Sequence, residues 1–315
     1  MMTCTDDDDE NRRTVRNTPS YRQEQYERKV RLKMPELTVT SEIYEEYEYQ
    51  TKIKPSQDGN VISEFPFFLP KSRGKHKFDK DDDLDVERPH KAVIKIEHSS
   101  KTKIAFVGLQ VWRGAFLLGD LLIHLGLNGE LEGKSVLELG AGTGLTSFVA
   151  ALYAKKVVCT DIDLGGILEL IKLNAKYNSH LIKSQFNIMP LDFTQTEWSR
   201  QLSDEISNVD IIVAADVIYD DDITAAFVST VQKILNTRPP KVLYVVMEKR
   251  YVFTIEHMDS VAPCYETFLT LLDKIKSENS HSNWTVEQLP LDFPKYFTYD
   301  RVKELVLWKI FSKIV

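Results

Sequence analysis

A strand that runs directly into three alternating glycines and then into a helix leaves a chain few choices of fold. Residues 136–147, VLELGAGTGLTS, form such a segment. Val136, Leu137 and Leu139 read as a short buried strand, and Leu145, Phe148, Val149 and Leu152 recur at helical spacing beyond it. Gly140, Gly142 and Gly144 permit torsions that a β-carbon penalises and leave room for a ligand against the main chain. Amides of the new helix face that space with partial positive charge. A tight turn accounts for one glycine or two. Three of them after a carboxylate, Glu138, point to a bound cofactor.

The spacing is GxGxG, whereas dinucleotide sites carry GxGxxG and receive a pyrophosphate at the helix terminus. S-adenosylmethionine carries an amino-acid zwitterion and a sulfonium instead, and Glu138 suits a ligand with an ammonium group. The segment resembles motif I of the class I, seven-β-strand methyltransferases.

The following strands have the same character. KKVVCTDIDLGG ends a strand at Thr160 and Asp161, twenty-one residues after Gly140. An acidic residue there either holds ribose hydroxyls or caps the next helix, from about Gly166 to Tyr177, and Asp161 and Asp163 can divide those roles. FNIMPLDFTQ gives a third strand ending at Asp192 and Phe193. These two read either as an adenine border, or as a helix cap and a core ring. In VDIIVAADVIYDDD, Val209, Ile211, Ile212 and Val213 make a central strand covered on both faces. It delivers Asp216 and Tyr219 to the carboxyl edge, where open α/β sheets bind ligands. Asp-x-x-Tyr is similar to the motif by which amino-group methyltransferases present a polar group and a ring to the accepting nitrogen. Val217 and Ile218 stand where the nucleic-acid adenine enzymes carry two prolines.

Together GLQVWRGAFLLGDLL, LELGAGTG, TDID, LDF and AADVIYDDD resemble the methyltransferase family that contains many protein lysine methyltransferases, from about Gly108 onward. The resemblance implies a Rossmann-like α/β fold, a mostly parallel seven-stranded sheet with an antiparallel C-terminal hairpin. It also implies a cofactor site of Trp112, Glu138, Gly140, Ala141, Gly142, Gly144, Asp161, Asp192, Phe193 and Ala215. Asp216 and Tyr219 would then lie beside the transferred methyl. Many relatives carry Trp where this chain has Phe193. Read without the resemblance, Trp112 is a core anchor on an amphipathic helix, and Asp216 a strand-end cap.

At 315 residues, 43% of them hydrophobic, the chain can hold one large α/β domain with extensions. Cys4, Cys159 and Cys264 fit no disulfide framework or zinc spacing, which suits a reducing compartment and predicts no metal. The N-terminus has no secretory apolar region, and no run of eighteen apolar residues occurs, so a soluble intracellular protein of nucleus or cytoplasm is expected. The short basic runs RRTVR and PKSRGKHK are weak nuclear-import candidates.

Composition changes near residue 86. Residues 1–86 are rich in charge blocks and read as a largely flexible, partly disordered extension, and 87–315 as the methyltransferase domain. Within the extension, EIYEEYEY and VISEFPFFLP either pack as strands on the catalytic part, the preferred reading, or dock a partner. The extension is expected to be dispensable for cofactor binding. Net charge is −7, and Asp220, Asp221 and Asp222 follow Tyr219. No basic stripe for nucleic acid is present in the catalytic part. An acidic rim attracts a basic peptide, although the same aspartates also start a helix. Glu248 and Arg250 are either substrate contacts or ordinary loop charges. The expected activity is methylation of a protein lysine by a monomer. Its rivals are methylation of a nucleic acid or small molecule, and an inactive cofactor-binding interaction protein.

Overall fold

The computed structural model describes residues 38–70, 90–254, 259–278 and 283–313. It begins with β1 (Thr38–Val39), the single turn α1 (Ile43–Glu46), two long strands β2 (Asn60–Leu69) and β3 (His90–Ser99), β4 (Thr102–Lys103) and a 3-10 segment, Ile104–Leu109. The alternating part runs α2 (Arg113–Leu127), β5 (Ser135–Leu139), α3 (Leu145–Ala150), β6 (Lys156–Asp161), α4 (Ile167–Tyr177) and β7 (Gln185–Pro190). It continues through α5 (Arg200–Ser207), β8 (Ile211–Ala215), α6 (Asp221–Leu235) and β9 (Val242–Glu248). A small hairpin, β10 (Val252–Thr254) and β11 (Asp259–Val261), precedes α7 (Pro263–Glu278), β12 (Asn283–Leu289) and β13 (Leu305–Lys313).

Seven strands form one sheet in the order β12-β13-β9-β8-β5-β6-β7. Neighbours from β9 to β7 are parallel, and β13 runs against both β9 and β12. This is the expected class I methyltransferase sheet with its C-terminal hairpin. Both faces are covered, which is why the central strands read as unbroken apolar runs. On β8, Ile211 and Val213 join one core, whereas Ile212 and Ala214 join the other. The first core includes side chains of α2 and α3, and the second those of α5, α6 and α7.

The N-terminal part departs from the expected division. β2 and β3 pair antiparallel along their whole length, from Asn60↔Ser99 to Leu69↔His90. A boundary at residue 86 therefore falls inside a hairpin connection. Ile43, Tyr49, Phe65 and Phe67 are buried in the first core together with Phe116 and Tyr299. Phe65 meets Phe116 edge-on at 5.2 Å and Tyr49 at 4.8 Å. So residues 38–70 share the core of the sheet's first face. Of the two aromatic pieces, VISEFPFFLP is a strand as expected, whereas EIYEEYEY forms the helical turn α1. The charge blocks expected to be flexible, in 1–37 and 71–89, lie outside the described residues.

Ile104–Leu127 is long and apolar enough to cross a membrane by length and composition, but 67% of its most apolar window is buried in the fold. Asp120, within it, accepts from the Tyr296 and Phe297 amides and pairs with Arg301. That segment is a core element.

Candidate active site

The sheet order turns at β5, from which β6 and β7 lie to one side and β8 and β9 to the other. A crevice opens at the carboxyl ends where such an order reverses. Here it is lined by Trp112, Glu138, Gly140, Ala141, Gly142, Asp161, Asp192, Phe193, Ala215, Asp216 and Tyr219. Eleven of the twelve expected residues thus converge. Gly144 is the exception. It sits at the N-cap of α3 with φ of 90°, and a Cβ there would come within 2.9 Å of Phe148 and 3.3 Å of Ile171. Backbone conformation and packing both call for glycine there. Gly142 has φ of 58°, and a Cβ would approach the Gly108 carbonyl oxygen to 3.0 Å. The glycine turn and the 3-10 segment close on each other there.

Two carboxylates define one half of the cleft. Glu138 is buried and accepts from the Ser147 hydroxyl. Burial pushes its pKa up to about 8, with the nearby Asp161 charge acting in the same direction. A cationic group placed against it would restore the charged form, so the site fits an ammonium. Asp161 accepts from the Gly142 and Ile162 amides, both at 2.7 Å, and burial raises its pKa to about 6. It does not cap α4, whose N-cap is Gly166. Asp163 is not among the lining residues.

Beyond β7, Asp192 accepts from the Thr194 amide at 2.9 Å and its hydroxyl at 2.7 Å, closing a turn. The cap of α5 is Ser199, not Asp192. Phe193 meets Phe227 edge-on at 5.4 Å and packs against the second core, yet it also lines the cleft. Trp112 occupies the N-cap of α2 rather than its apolar face. Its indole donates to the Val107 carbonyl at 2.9 Å, and Arg250 stands 4.7 Å over its ring.

The other half centres on Asp216, with φ of 53° the one non-glycine residue with positive φ among the described residues. Its carboxylate accepts from the Gly114 amide at 2.7 Å and the Glu248 amide at 3.0 Å. Burial raises its pKa, and the Arg250 charge opposes that shift. A Cβ at residue 114 would lie 2.5 Å from Asp216 Oδ2, so the contact requires glycine. Sequence reasoning missed Gly114; the signal was a glycine in the first turn of a helix, in WRG. Asp220 caps α6 by accepting from the Ile223 amide at 3.0 Å, and Asp221 and Asp222 occupy its first turn. The helix-starting role of the acidic run is therefore observed.

A family model described as lysine methyltransferase matches residues 90–263. The chain belongs to this family. The lysine methyltransferase match starts at β3 and leaves out residues 38–70, although these share its core. Methyltransferase-like protein 22 of Mus musculus is 35% identical over 238 residues, 70% of this chain and 60% of that protein. Protein N-lysine methyltransferase METTL21A of Xenopus tropicalis is 35% identical over 124 residues, 39% of this chain and 54% of that protein. The chain thus spans no more than 60% of these relatives' length. Among solved structures, magnesium protoporphyrin IX methyltransferase of Synechocystis PCC 6803 with bound SAM is similar with a TM-score of 0.39 and 15% identity, over 63% of this chain and 79% of that one.

Proposed function

We propose that the chain transfers a methyl group from S-adenosylmethionine to a lysine side chain of a protein. The observation that carries this reading is the single cleft in which Glu138, Asp161 and Asp216 converge from the ends of three parallel strands. When bound, S-adenosylmethionine supplies a methyl group already activated on its sulfonium. Glu138 would hold the ammonium, Asp161 the ribose hydroxyls, and Asp192 with Phe193 the adenine. Trp112, Ala141, Gly140, Gly142 and Ala215 complete that half of the cleft.

What remains for the chain is to orient the acceptor, a task that supplies on the order of 7–11 kcal/mol in well-aligned reactions. A lysine amine has an unperturbed pKa of about 10.4, and an apolar, enclosed approach lowers it by desolvation. Tyr219 lines that approach. Asp216 orients the amine with the lone pairs that its two amide bonds leave over. It is a poorer general base, because an anion beside the amine stabilises the ammonium form. The acidic first turn of α6 favours a basic segment around the target lysine. Free Cys159 and Cys264 fit a reducing compartment, nucleus or cytoplasm, where the chain works as a monomer without contacting nucleic acid.

The test is incubation of the pure chain with methyl-labelled S-adenosylmethionine and cell extract, followed by hydrolysis. Label should appear as methylated lysine. In Asp216→Ala the rate should fall about a hundredfold, the loss expected for a misplaced orienting group, with cofactor affinity nearly unchanged. Label confined to nucleic acid or small molecules rejects the substrate class, and an undiminished rate in Asp216→Ala rejects the role of that carboxylate.

A further inference from the structure

Residues 38–50 lie outside the family match but against the acceptor half of the cleft. The Ser41 amide donates to Gln110 Oε1 at 2.9 Å, and Gln110 Nε2 donates to the Val39 carbonyl at 3.0 Å. The Val111 amide donates to the Tyr44 hydroxyl at 2.9 Å. Arg250, which covers Trp112, approaches Glu42 to 3.4 Å. These contacts bring Glu46 of α1 to Arg113.

Arg113 donates through Nε to Glu46 Oε1 at 2.9 Å and through Nη2 to the same oxygen, while Nη1 pairs with Glu248. Arg113 and Glu248 also sit at the two amides that grip Asp216. Gly114 is the residue after Arg113, and Glu248 supplies the second amide itself. Backbone amides at 114 and 248 hold the carboxylate, and the side chains of 113 and 248 hold each other. Glu46 accepts from two further groups of the guanidinium, Nε and Nη2, and its Oε2 accepts from the Asp300 amide at 3.0 Å. The three side chains are only 8%, 10% and 14% exposed for Arg113, Glu46 and Glu248. Water cannot readily replace a lost partner there, so removing Glu46 leaves buried Arg113 donors unpaired and the clasp free to re-seat.

We propose that Glu46 is a positioning residue for methyl transfer, holding Asp216 in place through Arg113 and Glu248. The inference rests on the role of Asp216 given above. A residue that merely fastened the N-terminal segment would affect stability without separating turnover from cofactor binding.

Three quantities test it: the initial rate of label incorporation into cell-extract protein at saturating S-adenosylmethionine, the cofactor Kd by calorimetry, and Tm. They are measured for the unaltered chain, Glu46→Gln, Glu46→Asp and Glu45→Gln, which alters an exposed carboxylate on the same turn. Glu46→Gln should slow transfer about tenfold or more, since small misplacements near the chemistry are costly. Its cofactor Kd should stay within about twofold, as for an independent site. Glu46→Asp should recover part of the rate, and Glu45→Gln should match the unaltered chain. An unchanged rate in Glu46→Gln overturns the proposal, as does a rate that falls in step with cofactor affinity. Should Glu46→Gln not fold, Glu46→Asp decides by the same criteria. An unaltered chain that methylates no protein overturns the reading of the site and this role with it, whereas an active one separates the two failures.

Discussion

Asp161 and Asp216 stand at the ends of neighbouring parts of one sheet, and each commits its carboxylate to two backbone amides. Their partners come from very different distances along the chain. Asp161 grips Gly142, nineteen residues away, and its own successor Ile162. Asp216 grips Gly114 and Glu248, 102 and 32 residues away. The grip on Asp161 is thus built within one β-α-β stretch. The acceptor half is assembled from α2, β8, β9 and, through Glu46, from α1. The contacts of Asp161 are encoded locally, whereas those of Asp216 depend on how distant segments are brought together.

The largest effect expected from this contrast concerns the N-terminal segment. A chain beginning at residue 90 removes Ile43, Tyr49, Phe65 and Phe67 from the first core. At about 2–5 kcal/mol for each large side chain lost from a core, the total rivals the whole stability of a typical domain, about 5–15 kcal/mol. Such a chain should fail to fold by near-UV circular dichroism and bind no cofactor, while one beginning at residue 38 should fold. Native-like cofactor binding by the shorter chain would break the comparison, because both halves would then be complete without the segment.

Gly142→Val comes next. A branched side chain at a φ of 58°, facing the Gly108 carbonyl, cannot be seated without moving the glycine turn. Calorimetry should find cofactor binding lost, with Tm also lowered, since the same contact closes the turn on the 3-10 segment. An unchanged Kd would remove the cofactor half from this turn.

The smallest effect is a pH dependence. Glu138 has its pKa raised from 4.5 to about 8 in the fold, so its contribution to stability is fully present below the unfolded value and is lost as pH rises through about 8. Cofactor affinity should run the opposite way, weakening as pH falls below 8, because an ammonium favours the ionised carboxylate. A single proton limits that slope to about tenfold per pH unit. In Glu138→Gln both dependences should flatten between pH 6 and 8, leaving whatever Asp161, raised to about 6, contributes near the lower end. Slopes unchanged by the substitution would assign the proton elsewhere and sharpen the role of Asp161.

The glycine turn, the carboxylates at strand ends and the parallel strands were legible because each is written within a few residues: a short apolar run, then a turn, then a period near four. At Gly144 the sequence leaves two roles open, because a glycine needed for torsion and packing looks the same there as one that makes room for a ligand. Asp192 was read as a possible helix cap, but the capping hydroxyl came from Ser199, a few residues nearer the helix. Residues 38–70 were only partly legible for another reason. Charged stretches on either side set the local composition, and the strand that carries Phe65 and Phe67 on one face has its partner strand beyond residue 89.

Local pattern alone determined the β-α alternation from β5 to β9, the glycine turn and the positions of Glu138, Asp161 and Asp216. Only the tertiary structure decided that Gly114 and Glu248 meet at the Asp216 carboxylate and that Arg113 joins Glu248 to Glu46 beside it. Periodicity follows from the geometry of a single strand or helix and can be read residue by residue. A buried ionic clasp forms where core packing excludes water and brings together charges that, spread along the chain, look like ordinary surface residues.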